Sequence, residues 1–362
     1  VDTGGFSPEE LKAIEAKAYS LGVESHVTLD VVEDYYQDCI KYLVYGNVLK
    51  NNTYPLSVSA ERVFQATAVA KYAQKLGAKA IAHGSTGAGN DQVRFDVVFR
   101  ILVPACEVIT PIRDLQLSRE AEIDYLKSKG VVQEWHKAAY SINKGLWGTS
   151  VGGKETLTSN GYLPEEAWPT QLTKSSPEKI SLQFKNGEFV GIEGEIYESS
   201  VAAIRALTER ASAFAIGRGI HVGDTIIGIK GRVGFEAAAP LIIIKAHHTL
   251  EKHVLTKHKL YWKQNIGDMY GTLLHEGQFL EPVMRNFETF LSDTQDQVTG
   301  TVHVQLAPYH FYILGIESEN DLMSSAFGAY GEMNKAWTGE DVRGYSKIVS
   351  NQTMIHRKVN NQ

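Results

Sequence analysis

The sequence has 362 residues, 43% hydrophobic and 22% charged; at roughly 100–200 residues per domain it makes about two or three domains, large enough to bury a core without disulfide or metal staples. A net charge of −6 argues against a general binder of nucleic acid or anionic membrane, which would carry a basic excess. Cys39 and Cys106 are far apart and form no CxxC, and no apolar run approaches the ~18 residues of a membrane span, so a disulfide scaffold, a cysteine-rich metal site and a spanning helix are excluded and the cytoplasm is the expected compartment.

In chain order, residues 1 to about 131 read as alternating helix and strand. Ser7-Pro8-Glu9-Glu10 is a capping box with Pro at the first helical position. The helix it opens runs towards Gly22. A short strand is predicted at His26-Val27-Thr28-Leu29, then a helix through Val32, Tyr35, Tyr36, Cys39 and Leu43. Another helix spans Ala60 to Leu76 and stops at Gly77. Ala80-Ile81-Ala82 suits a buried parallel strand. A glycine-rich segment, Gly84 to Gly89, leads into a helix from about Asp91. Val108-Ile109-Thr110 is another strand and Glu120 to Lys129 another helix. Such alternation implies a parallel α/β sheet.

The texture changes after Trp135. Ile180, Leu182 and Phe184 alternate with polar residues, and Asn186-Gly187 is a hairpin signal before Phe189, Val190 and Ile192. A long helix is predicted over Val201 to Ile216. Alternation returns at Val302, Val304 and Leu306, then Phe311 and Ile313. This second part is α+β. Near the end, Thr338-Gly339-Glu340-Asp341 caps a helix. Tyr345, Ile348, Gln352, Ile355 and Val359 form one stripe along it. With Arg343, Lys347, Arg357 and Lys358 this stripe resembles a membrane-docking helix, but in an acidic protein packing on another subunit is the favoured reading.

The densest chemical signal is His83-Gly84-Ser85-Thr86-Gly87-Ala88-Gly89-Asn90-Asp91. It sits between a strand end and a helix start, where open α/β sheets bind ligands and free N–H groups attract anions. It is neither GxGxxG nor a Walker loop, and a plain strand–helix turn is the bland alternative. Asn90 and Arg94 are one helical turn apart and can face one cleft, with Arg94 offering a fork to a carboxylate. Asp91 can equally favour the helix dipole. Gly148-Thr149-Ser150-Val151-Gly152 matches a GxSxG elbow but lacks the buried strand before it, so Ser150 reads as a loop hydroxyl. His247, His248, His253 and His258 lie on a predicted helix, the last three spaced by five, which suits partly exposed histidines better than metal ligands.

Together the motifs resemble one family. Ala82 to Phe95, Tyr140-Ser141-Ile142-Asn143, Leu146-Trp147-Gly148 to Ser150, Gly228-Ile229-Lys230-Gly231-Arg232 and Thr294 to Val302 are similar to argininosuccinate synthase in order and spacing. The resemblance implies a Rossmann-like nucleotide-binding domain of the ATP-pyrophosphatase type over 1–131, an α+β synthetase domain over 132–325 and a C-terminal oligomerisation tail over 326–362. It implies that citrulline's ureido oxygen attacks the α-phosphorus of MgATP, giving citrullyl-adenylate and pyrophosphate, and that the aspartate amine then displaces AMP. It places ATP at Val1 and Gly84, aspartate at Thr86, Asn90 and Asp91, and citrulline at Tyr54, Ser59, Asn90, Arg94, Ser141 and Ser150. No tightly bound cofactor, nucleic acid or membrane is expected, and the assembly implied is a homotetramer. The chemistry is one of positioning and charge stabilisation, which suits a sequence without a nucleophile–base constellation. Other readings are an inactive homologue serving as a binding subunit and an ATP-pyrophosphatase that modifies tRNA.

The sequence departs from the family's pattern in four places. Ala88 replaces a common Lys. Gly223 and Phe235 stand where a Glu and a Tyr often contact citrulline, with Asp224 or Glu236 as candidate replacements. The Ser-Gly-Gly-x-Asp-Thr-Ser loop that cradles pyrophosphate has no counterpart, since Thr3-Gly4-Gly5-Phe6 does not match it. An upstream strand–loop–helix of about 30–40 residues is therefore expected in the natural protein.

Overall fold

The computed structural model describes residues 1–87, 89–131, 140–323, 330–332 and 336–360, with the backbone but not the side chain of Arg119. Ala88 and Trp135 lie outside these residues, as do the expected domain junctions at 131/132 and 325/326. The chain divides into two units, Val1–Glu319 and Asn320–Gln362.

In the first unit, α1 (Pro8–Ser20) starts as its capping box dictates. Ser7 Oγ accepts the Glu10 N–H at 3.2 Å and Glu10 accepts the Ser7 N–H at 2.8 Å. The next helix is α2 (Val32–Tyr35), which passes through a π-turn at Tyr36–Ile40 into α3 (Lys41–Tyr45). It buries Tyr35, Tyr36, Cys39 and Leu43, the apolar stripe read from the sequence. α4 (Ser57–Leu76) ends at Gly77, which takes the left-handed conformation (φ 63°) that glycine allows without steric cost. β1 (Ala80–Ala82), α5 (Asp91–Leu102) and β2 (Glu107–Ile109) form one parallel crossover in which Ile81 faces Val108. α6 (Pro111–Asp114) and α7 (Arg119–Ser128) follow.

The strand expected at His26–Leu29 does not form. That stretch carries no regular secondary structure and is largely exposed, and the one parallel bridge nearby, between Asp2 and Asp30, falls just after it. Without a neighbour along its length, a run with strand-like composition has no ladder to join. Among the described residues, the parallel sheet is therefore β1 and β2 alone.

The α+β part contains β3 (Ser141–Gly145), β4 (Gly148–Gly152), β5 (Glu178–Lys185), β6 (Glu188–Ile192), β7 (Glu195–Ile196), α8 (Ser200–Ser212), β8 (Arg218–Asp224) and β9 (Lys230–Glu236). It continues through α9 (Ala238–Val254), α10 (Lys257–His275), α11 (Val283–Asp293), β10 (Gly300–Ala307) and β11 (His310–Glu317). Two antiparallel sheets result, ordered β11-β10-β5-β6-β7 and β3-β4-β9-β8. The first buries Ile180, Leu182, Phe184, Val302 and Val304, with α9 packed on β10 and β11 and α8 on β6. Asn186 and Gly187, both at positive φ (48° and 80°), make the tight hairpin turn between β5 and β6. α8 stops at Ser212, short of the expected Ile216, because Ala215 and Gly217 turn to positive φ.

α9 and α10 divide the histidines thought to share one helix. His247 is not partly exposed but fully buried, its Nδ1 2.7 Å from Asn47 Oδ1 and its Nε2 2.9 Å from Gln295 Oε1. His258 is exposed on α10. Among the described residues no group of three or more His, Cys, Asp or Glu is arranged to hold a metal ion, and no helix is long and apolar enough to cross a membrane.

In the second unit, α12 (Gly339–Val359) begins at Thr338, whose Oγ1 accepts the Asp341 N–H at 3.3 Å. Tyr345, Ile348, Ile355 and Val359 are exposed along it. The architecture is thus a Rossmann-like α/β part, an α+β part and a C-terminal helical segment.

Candidate functional site

A cavity of about 330 Å³ opens where α4 and α5 begin, where α10 ends, and where the β3-β4-β9-β8 sheet presents one face. A larger groove of about 610 Å³ runs over Phe64, Ala68, Leu102 and Phe279, but it gathers none of the signature residues. The chemistry converges in the smaller cavity.

The backbone builds one wall through strain. Leu56, fully buried, takes φ 61° immediately before α4, a conformation that costs a branched residue of order 1 kcal/mol or more and is held by its surroundings. It turns Tyr54, Val58 and Ser59 to the cavity. Trp147, also fully buried, donates its indole N–H to the Pro55 carbonyl at 3.0 Å and fixes the β3–β4 hairpin beside this turn. Ser150 on β4 and Asn143 on β3 are directly opposite in register and both line the cavity. The Tyr54 oxygen accepts from the Val58 N–H at 3.0 Å and from Ser57 at 3.3 Å, which leaves its own proton to donate.

α5 supplies the opposite wall. Gln92 closes the glycine loop by donating to the Gly87 and Gly89 carbonyls. Asn90, Asp91 and Arg94 follow and line the cavity. The Asn90 carboxamide oxygen accepts the Ile226 N–H at 2.8 Å, tying α5 to the β8–β9 turn. Arg94 is only 3% exposed. It donates to the His275 carbonyl at the C-terminus of α10 (2.9 and 3.1 Å) and to Asp91 at 2.9 Å, where a cation meets the negative end of the helix. Gly277 (φ 78°) lies against this residue, since a Cβ there would stand 3.2 Å from Arg94 Cα.

A second arginine, Arg62, organises the floor. It donates to Asp91 at 3.0 Å, to Glu61 at 3.0 Å and to Asn143 Oδ1 at 2.8 Å. Asp91 is therefore clamped between two guanidinium groups, and Asn143 is oriented so that its NH2 meets Ser150 Oγ at 3.3 Å. Burial pushes the Glu61 carboxyl up to about 7, against the pull of Arg62 and Thr3. Burial, with Arg94 beside it, pushes the His275 imidazole down to about 3. That ring is neutral at pH 7, and its Nδ1 lies 3.1 Å from Ser59 Oγ.

Of the residues singled out from sequence, Tyr54, Ser59, Asn90, Asp91, Arg94 and Ser150 meet in this cavity. Thr86 and Gly84 are exposed on the loop outside its lining, and Ser141 is exposed on the face of β3 that carries Asn143. Val1, half-buried, precedes the Asp2–Asp30 bridge and is not among the lining residues. Of the two candidate replacements at the departures, Glu236 is turned away to Thr170 and Arg218, and Asp224 lines the cavity paired with Lys230 at 2.6 Å. Phe235 is buried beneath Tyr54, with ring centres 5.3 Å apart. Ser150 sits within strand β4, with no strand–turn–helix around it, so the GxSxG match is no elbow.

Sequence reasoning missed Arg62, His221 and His275. Arg62 had a signal, one helical turn after Ser59. The two histidines had none, because each reaches the cavity from an element remote in sequence.

A parallel crossover with a glycine loop after its first strand, beside a sheet lined with hydroxyl and amide groups, is the arrangement of a nucleotide-binding α/β enzyme class. Residues 1–132 match the family model "Arginosuccinate synthase N-terminal HUP domain" and residues 140–356 match "Arginosuccinate synthase C-terminal domain". An argininosuccinate synthase of Methanocaldococcus jannaschii is 36% identical, over 97% of this chain and 89% of its own length. Those of Dictyoglomus thermophilum (33%, over 98% and 89%) and Sulfolobus acidocaldarius (32%, over 99% and 91%) are similar to it as well. The chain belongs to the argininosuccinate synthase family.

Proposed function

We propose that this protein joins citrulline to aspartate at the expense of ATP, giving argininosuccinate, AMP and pyrophosphate, as a step of arginine biosynthesis. The ureido oxygen of citrulline attacks the α-phosphorus of ATP, supplied as its magnesium complex, and pyrophosphate leaves. The aspartate amine then attacks the ureido carbon of the citrullyl-adenylate and AMP leaves with that oxygen. The observation that carries the reading is the meeting of Asn90, Asp91 and Arg94 with Tyr54, Ser59 and Ser150 in one cavity. Neutral hydroxyls and amides suit a ureido group, and one buried cation suits a carboxylate. The protein's part is to hold two amino acids in line with a phosphorus atom, an entropic contribution that reaches about 7–11 kcal/mol in well-oriented systems.

On this reading Tyr54, Ser59, Arg94 and Ser150 bind citrulline, with Ser141 at the rim. Thr86, Asn90 and Asp91 bind aspartate, Asn90 reaching both, and Gly84 and Val1 contact the nucleotide. The apolar stripe of α12 packs on a neighbouring copy in a cytoplasmic homotetramer. Pyrophosphate release should require ATP, citrulline and aspartate together for steady turnover. Release that persists undiminished without citrulline would refute the assignment.

A further inference from the structure

β8 and β9 present a gap to the cavity. Gly223 and Gly231 are paired directly across the two strands, so neither contributes a side chain there. His221, two residues earlier and on the same face of β8, fills the space. Its ring stacks on Tyr54 at 5.2 Å, and a Cβ on Gly223 would come within 2.6 Å of its Nε2. His221 is 6% exposed, and its Nδ1 is buried without a hydrogen-bond partner.

That orphan atom fixes the tautomer. A buried N–H with no acceptor is rarer and costlier than an unmatched lone pair. We therefore assign the proton to Nε2, which lies toward Gly223 on the cavity wall. Burial and the nearby Lys50 lower the affinity of the ring for a second proton. Beside it the Tyr54 hydroxyl has a proton to donate, as its hydrogen bonds show. Both groups on this wall are donors. The two acids of the lining already have cations: Asp91 has Arg62 and Arg94, and Asp224 has Lys230. An ammonium would find no uncompensated anion here, whereas a carboxylate finds two neutral donors and the Arg94 guanidinium.

We propose that His221, through Nε2–H and beside the Tyr54 hydroxyl, binds a carboxylate oxygen of the ureido substrate, and that this wall has no reader for an α-ammonium. The site then accepts ureido carboxylic acids with or without an α-amine. This rests on the reading that a ureido acid occupies the cavity.

The test is calorimetric binding of three compounds to the protein. These are citrulline, 5-ureidopentanoate (carboxylate without amine) and 4-ureidobutylamine (amine without carboxylate). The expected Kd values for the two acids lie within fivefold of each other, with the amine more than 30-fold weaker. His221→Phe, which keeps a ring on Tyr54 but removes the N–H, should weaken both acids about fivefold or more, and His221→Gln should restore part of the loss. A preference for citrulline above fivefold overturns the proposal, as does His221→Phe with both acids unaffected. Should that variant not fold, the three-compound series on the unaltered protein still decides. Citrulline-dependent pyrophosphate release keeps the two claims apart. Release together with a strong preference for citrulline overturns the role of His221 alone, while neither release nor binding overturns the reading of the cavity as well.

Discussion

Arg94 has two tasks that its five N–H groups can share. Three of them hold the His275 carbonyl and Asp91, and Nη2 also stands 3.4 Å from His275 Nδ1, which leaves an Nη1 N–H for a substrate carboxylate. Arg94→Ala should lower kcat/KM for citrulline by roughly 30- to 1000-fold, the equivalent of about 2–4 kcal/mol for a charge-assisted contact. A variant with unchanged citrulline kinetics and a lowered Tm would reduce Arg94 to a strut between α5 and α10. Glu61 offers a pH test. Its carboxyl stands near 7 in the fold against 4.5 unperturbed, so between those values the folded state binds more protons than the unfolded one. The contribution to stability is complete below about 4.5 and is lost as pH rises through about 7, up to about 3 kcal/mol in all. Glu61→Gln should therefore gain stability relative to the natural protein as pH rises from 4.5 to 8. Parallel melting curves for the two across that range would contradict this account.

At the scale of elements, α9 and α10 are tied by a buried ion pair, Lys263 to Glu251 at 2.8 Å, with both side chains almost fully buried, and Lys263 also donates to the Tyr45 carbonyl at the end of α3. Asn47 and Gln295 complete the carboxylate's hydrogen bonds at 2.6 and 3.0 Å. Lys263→Met would strand the carboxylate, and urea denaturation should show a loss of about 3–5 kcal/mol. Adding Glu251→Gln should recover part of it. A single variant within 1 kcal/mol of the natural protein would mean that the pair is not coupled as its geometry requires. The elements also show what a sequence reveals. The β5–β6 hairpin was legible from alternation and Asn186-Gly187, and α1 from its capping box, because each signal is local. His26–Leu29 misled because strand composition cannot reveal whether a neighbour exists. The α5 side of the site was legible in one contiguous segment. His275, which meets Arg94 across 181 residues, and the burial of His247 depend on tertiary packing that leaves no local periodicity.

At the scale of the molecule, the C-terminal unit presents Tyr345, Ile348, Ile355 and Val359 to solvent along α12, an apolar stripe of the kind that marks an interaction surface. Removal of residues 338–362 should convert the proposed homotetramer into smaller species by light scattering. A truncated protein that stays tetrameric would place the subunit contacts elsewhere.

The central claim is that the cavity holds citrulline so that its ureido oxygen becomes the attacking atom. Citrulline labelled with ¹⁸O in the ureido group tests it most directly. With ATP and aspartate present, the account predicts one ¹⁸O in each AMP formed and none in argininosuccinate's guanidino carbon, read by mass spectrometry. Unlabelled AMP formed together with argininosuccinate would contradict it.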